Sequence, residues 1–318
     1  MPGPGALRCS TAASLVAIST ACAGGEWREP PPIAAAAYEQ EMHDWRAERR
    51  AVLEYAVKLV GVWPLDQGDT PFGADSSVPV VLRGSGVPPR AGVLRRRGGQ
   101  VSVVPAAGVT LWANGAAVSG ETPLATVMDS LPTVLAAGTL RLQIEEVEEV
   151  SKDADERRWV SASDTAHPAL AGLQPVATFP VAMPWRVAAR FDAFDAPRQM
   201  QVPDVRGGVI DLVATGALVF RIANREHRLT AIRLPEGELL VMFRDSTSGV
   251  TTYGGYRALY PRAVANGEWA VLDFNKSANP PCAYSAYTTC PLAPRENRLA
   301  LTVEAGEKMH ASKRGYAP

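Results

Sequence analysis

Histidine is close to missing from this chain. His43, His167, His227 and His310 are the only four, and no two of them sit at metal-ligand spacing. A surplus charge of one sign is lacking as well. The net charge is −1, so bulk electrostatics argue against a nucleic-acid binder and against an acidic tail. The apolar run near the N-terminus, residues 11–19, is too short to cross a membrane as a helix. Helical periodicity is confined to one segment, which argues against a doubly wound α/β sheet. No cofactor and no metal are expected.

The 47% hydrophobic content excludes global disorder and suffices for packed cores. The length of 318 residues suggests two domains. The 27 glycines and 26 prolines are spread along the chain, which favours many short strands joined by turns.

The N-terminus reads as an export signal, residues 1–22. Arg8 supplies a positive charge, residues 11–19 form a short apolar run, and Ala21-Cys22-Ala23-Gly24-Gly25 places small residues at a cleavage point. Cys22 is the candidate for lipidation, with Ser19 three residues before it. Plain secretion and no export stay open beside it. The expected location is the cell envelope, with any membrane contact made only through this anchor. Residues 23–33, with Pro30-Pro31-Pro32, read as an extended tether. Residues 34–60 are the helix: Tyr38, Met42, Trp45, Val52, Leu53, Ala56 and Leu59 recur at helical spacing. The arginines Arg46, Arg49 and Arg50 among them read as a solvated face.

Residues 61–161 carry short β runs at 78–82, 101–104, 109–112 and 140–144, separated by turns such as Asn114-Gly115. The expectation is a β-sandwich. Five arginines (Arg83, Arg90, Arg95, Arg96, Arg97) fall in an acid-free stretch, and seven acids cluster in 145–156. The two runs can pair with each other or form solvated edges. Alternatively, Arg90 and Arg95–Arg97 form an anion-binding patch. Residues 162–183 have little pattern and read as a linker. Residues 184–310 form a second antiparallel β-sandwich or barrel, with strands near 187–191, 208–213, 217–222, 239–243, 256–260, 269–274 and 299–303. Residues 311–318 are a tail. The fold class is therefore mainly β, with one N-terminal helix and two β domains.

The densest chemistry is in 271–290. Cys282 and Cys290 in an exported chain read as a disulfide. The loop it closes would contribute roughly 2.5 kcal/mol by chain entropy. A metal pair, a reactive cysteine and free thiols are the alternatives. Arg244, Asp245, Tyr253, Arg257, Asp273, Asn275 and Lys276 are the candidate ligand-binding residues, gathered at one barrel mouth around a small polar ligand. The competing reading is a buried network of ion pairs and Asn-to-backbone bonds. Five of the eight tyrosines lie in 253–287. Their flat faces and hydroxyls suit a sugar or a barrel core alike. Two carboxylates, Asp245 and Asp273, could also serve as acid and base.

The second region resembles an uncharacterised bacterial family, the domain of unknown function 1684. The resemblance rests on Phe243-Arg244-Asp245-Ser246-Thr247-Ser248-Gly249, Thr252-Tyr253-Gly254-Gly255, Leu272-Asp273-Phe274-Asn275-Lys276 and Asn279-Pro280-Pro281-Cys282. Thr289-Cys290-Pro291, Glu296-Asn297-Arg298-Leu299 and Ala305-Gly306-Glu307-Lys308 complete it. Trp45-Arg46, Phe72-Gly73 and Pro184-Trp185 extend it more loosely, from about Tyr38 to Lys308. The resemblance implies an exported or lipid-anchored protein and no particular catalytic mechanism. Residues 72–144 also resemble a forkhead-associated fold through Asn114-Gly115. That family's Gly-Arg and Ser-x-x-His are replaced here, so the resemblance implies the sandwich shape without phosphothreonine binding. The function expected is a non-enzymatic binding module for a small polar or carbohydrate-like ligand; the alternative is a hydrolase-like enzyme using the same carboxylates.

Overall fold

The computed structural model describes residues 27–147, 157–205, 207–234, 237–263 and 268–310. Cys22, the export segment and the tail 311–318 lie outside them. The expected helix runs over Ala35–Lys58 (α1), with Tyr38, Met42, Leu53 and Ala56 buried. Ala34 enters it in extended conformation with no side-chain cap. At the other end the chain passes directly from Lys58 into the first strand.

That strand, β1 (Leu59–Leu65), opens a two-sheet unit. β2 (Gly68–Gly73), β3 (Val80–Val81), β4 (Gly92–Arg97), β5 (Gln100–Pro105), β6 (Trp112–Ala113) and β7 (Ala116–Ala117) follow. β8 (Thr122–Leu124), β9 (Leu135–Ala137), β10 (Leu140–Val147) and β11 (Arg157–Asp164) complete it. Their orders are β1-β11-β10-β9-β6-β7 and β3-β2-β4-β5-β8. Alternation along the strands sends Leu94, Val101 and Val103 from one sheet against Leu140, Leu142 and Ile144 from the other, so one core lies between the two layers. Burying each such side chain contributes about 1.5–3 kcal/mol.

The second unit is one antiparallel sheet. β12 (Arg186–Pro203), β13 (Val209–Ile222), β14 (Arg225–Arg233), β15 (Leu239–Phe243), β16 (Arg257–Leu259), β17 (Arg262–Ala263) and β18 (Trp269–Asp273) pair in the order β16-β15-β14-β13-β12-β18-β17. Register shifts between Ala193 and Arg198 and between Ala214 and Gly216 bend the two long strands. The sheet thus curls as a half-barrel around Leu218, Phe220, Phe243, Leu272 and Phe274. The opposite face carries a smaller cluster with Met242, Tyr253, Cys282 and Cys290.

Residues 299–303, expected as a strand, are not one. Their amides go elsewhere: Leu299 N donates to the Arg244 carbonyl at 2.8 Å, and Val303 N to the Asp245 carboxylate at 2.7 Å. β14 was not expected. Residues 27–33, expected as a tether, form neither helix nor strand and are docked on the sheet. Arg221 lies over the Trp27 ring at 4.3 Å, Trp27 meets Trp269 edge-on at 6.3 Å, and Arg186 donates to the Pro31 carbonyl at 2.7 Å. The expected linker also contributes structure. Ala177 accepts from Lys308 N at 2.8 Å, and Phe179 N donates to Gly306 at 2.9 Å. Gly306 has φ +76°, and a Cβ there would stand 2.5 Å from the Ser277 carbonyl. Only glycine lets the C-terminal segment pass this close to the turn after β18.

Candidate functional site

β18 delivers Asp273 to the start of a single 3₁₀ turn, Phe274–Lys276, which the Asp273 side chain caps by accepting from Asn275 N at 3.1 Å. The same carboxylate accepts from the Tyr38 hydroxyl of α1 at 2.9 Å. Asn275 is buried behind it. Its Nδ2 donates to Tyr38 Oη and to the Ala182 carbonyl, both at 3.0 Å, and its Oδ1 accepts from Ala182 N at 3.0 Å. Burial pushes the Asp273 carboxyl above its usual value despite the bonds from Tyr38 and Asn275. Burial, and then the charge of Asp273, pushes the Tyr38 hydroxyl well up.

One helical turn on, Glu41 accepts from Lys276 Nζ at 2.5 Å and from Arg262 Nη2 at 2.7 Å, both on Oε1. Burial would raise this carboxyl. The bond from Lys276 and the charges of Lys276, Arg262 and Arg186 outweigh it and hold the group below its usual value. Two turns further, Arg49 reaches the fully buried Glu307 at 2.7 Å and the Asn279 carbonyl at 2.7 Å. Glu307 also accepts from Asn279 N at 2.5 Å and from the Tyr284 hydroxyl at 2.8 Å. Desolvation opposes the Arg49 charge, but Glu307 raises its pKa overall. The reading of Arg49 as a solvated residue is therefore corrected. Tyr38, Met42, Trp45 and Arg49 recur at steps of four, three and four, so Arg49 continues the inward stripe.

Between α1 and the sheet runs a groove of about 1190 Å³. Glu41, Asp44, Trp45 and Glu48 form its helical wall; Arg186, Arg233, Tyr260, Arg262, Trp269 and Lys276 lie across from them. Tyr260 is 56% exposed. Aromatic faces beside paired and unpaired charges make a polar site of ligand size.

Of the sequence-predicted site residues, Asp273 and Lys276 line this groove, and Asn275 supports it from behind. Arg244, Asp245, Tyr253 and Arg257 do not line it. Arg257 and Asp245 are sealed under the sheet, with side-chain exposures of 0% and 0%. Arg257 bonds Asp245 at 3.2 Å, the Ala305 carbonyl at 2.5 Å and the Val303 carbonyl at 3.1 Å. Asp245 further accepts from Thr247 Oγ1 at 2.9 Å and from Ser248 Oγ at 3.1 Å. Burial pushes the Arg257 pKa down against the pull of Asp245. Arg244 is half-buried and anchors the C-terminal segment through its backbone, its N donating to the Asn297 carbonyl at 3.0 Å. Tyr253 donates to Cys282 Sγ at 3.6 Å.

The expected disulfide is not formed: Cys282 and Cys290 are buried thiols that are not bridged to each other. A hydrogen bond with Cys282, and burial, push the Cys290 thiol far up, so it stays neutral. The arginine patch is not formed either. Strand alternation on β4 splits it. Arg95 is neutralised by Asp69 at 2.8 Å and Glu121 at 2.7 Å, while Arg96 turns inward onto the Leu65 carbonyl at 2.8 Å.

Residues 171–308 match the family described as "Protein of unknown function (DUF1684)". This span is narrower than the Tyr38–Lys308 stretch suggested by the motifs. Among solved structures, the solution NMR structure of an uncharacterized protein of Haloarcula marismortui is similar. It is 28% identical, covers 44% of this chain and 78% of its own, and has a TM-score of 0.37. No curated protein matches the chain.

Proposed function

From the match of residues 171–308 to the DUF1684 family, we propose an exported, envelope-associated module. It binds a small polar, carbohydrate-like ligand in the groove beneath α1. The observation that carries this reading is the groove itself, with Trp45, Tyr260 and Trp269 set among Asp44, Arg233, Arg262 and Lys276. Aromatic faces stack on the apolar side of a sugar ring while charged groups take its hydroxyls. Binding without turnover fits the state of the carboxylates. Asp245 is committed to Arg257, Thr247, Ser248 and Val303 N, which removes it as an acid–base partner for Asp273. Export rests on the residues around Arg8 and Cys22.

The test is a panel of mono- and oligosaccharides screened by calorimetry against the wild-type protein and Tyr260→Ala. We expect at least one sugar to bind, to be recovered unchanged, and to lose about tenfold or more in affinity in the variant. A sugar that is cleaved by the wild type and left intact by Asp273→Asn would establish the hydrolase instead.

A further inference from the structure

The Glu41 carboxylate has more cations than it needs. Lys276 Nζ and Arg262 Nη2 converge on its single Oε1, at 2.5 and 2.7 Å. Arg186 lines the same part of the groove, and its charge also acts on Glu41. The three cations come from β12, β17 and the turn after β18, which belong to one sheet. The carboxylate comes from α1, a separate element. The sheet thus builds the seat and the helix supplies its occupant. Two cations share one oxygen of a carboxylate that is 23% exposed, and Asp273, on which the Lys276 charge also acts, lies on the sheet side of the groove. Lys276 is only 16% exposed, so removing its partner leaves a largely desolvated charge seeking another anion. Arg262 is 67% exposed and open to an incoming group.

We propose that Arg186, Arg262 and Lys276 form a seat for the carboxylate of an acidic sugar of the uronic-acid type, which Glu41 fills in cis until the ligand displaces it. The seat rests on the groove reading above, to which it adds a ligand class. A carboxylate is favoured over a phosphate because the group that Lys276 and Arg262 already share is a carboxylate, held through its Oε1. Glu41 acts as a competitor, so its removal strengthens ligand binding, whereas loss of a merely structural clamp would weaken the fold and leave affinity unimproved.

The experiment titrates the full-length protein with D-glucuronate, D-glucose and inorganic phosphate, comparing wild type, Glu41→Gln and Lys276→Met. The seat predicts that Glu41→Gln binds glucuronate about tenfold tighter than wild type, that salt weakens this binding, and that Lys276→Met loses it. Glucose affinity should be the same in wild type and Glu41→Gln. Glucuronate binding no tighter in Glu41→Gln overturns the seat. Equal binding of glucose and glucuronate also overturns it and leaves the groove reading standing. An equal gain for phosphate overturns the carboxylate preference. No binding of glucuronate to any form overturns the seat, while the groove reading stands or falls with the wider sugar panel. Should Glu41→Gln fail to fold, Arg262→Met at its exposed position takes its place: it must weaken glucuronate binding, and unchanged affinity counts against the seat.

Discussion

At the scale of single residues, the polar side chains near β18 divide by what they hold. Glu307 is fully buried and joins Arg49, Asn279 and Tyr284. Replacing it by alanine strands the Arg49 guanidinium, which is only 14% exposed, and the Asn279 amide. Glu307→Ala should therefore cost about 3 kcal/mol in urea unfolding, and a loss below about 1 kcal/mol would contradict the buried pair. Asp273 behaves differently because burial raises its pKa above 3.8. A carboxyl raised on folding contributes stability that is complete below its unfolded pKa and lost as pH rises through the folded one. Asp273→Asn does not titrate. Its stability relative to wild type should therefore improve as pH rises from about 4 towards neutrality. A difference that stays flat across this window would show that the carboxyl is not desolvated as described.

At the scale of elements, α1 is held to the half-barrel by Tyr38, Glu41 and Arg49, all polar, and its start is plain. Ala34 occupies the N-cap in extended conformation, with no side-chain cap and no acid in the first turn. Ala34→Ser supplies the missing acceptor and should stabilise the protein by about 0.5–1 kcal/mol in thermal unfolding. No gain would mean that the first turn is frayed. The helix itself was legible in the sequence, because Tyr38, Met42 and Trp45 write its periodicity locally. Its partners were not: Tyr38 meets Asp273, 235 residues away, and no local pattern encodes such a pairing. β14 was hidden for another reason. Leu229, Thr230, Ala231 and Ile232 are all buried, because both faces of the sheet are covered there, and this removes the two-residue alternation that marks a strand. Residues 299–303 misled in the opposite direction. They are apolar enough for a strand, yet Asp245 captures the amide of Val303. The motif residues did locate the important neighbourhood, but composition could not separate the sealed Asp245–Arg257 pair from the groove-lining Asp273 and Lys276, since both sets have the same chemistry.

At the scale of the whole molecule, α1 runs straight into the first sandwich and also roofs the groove over the half-barrel, so one helix connects both units. The strap 27–33 lies on the same sheet, five residues beyond Cys22. On the proposed anchoring, membrane fractions of native cells should retain the wild-type protein and release Cys22→Ser; equal solubility of the two would remove the anchor from the account. The central claim is that the ligand sits between α1 and the half-barrel. Two-dimensional ¹⁵N NMR of the indole N–H groups tests it most directly. Trp45 and Trp269 line the groove, whereas Trp112, 48% exposed, belongs to the first sandwich. On titration with the sugar that binds in the calorimetric screen, the account predicts that the Trp45 and Trp269 indole signals move together and that Trp112 stays still. Movement of Trp112 with Trp45 and Trp269 unchanged would contradict it.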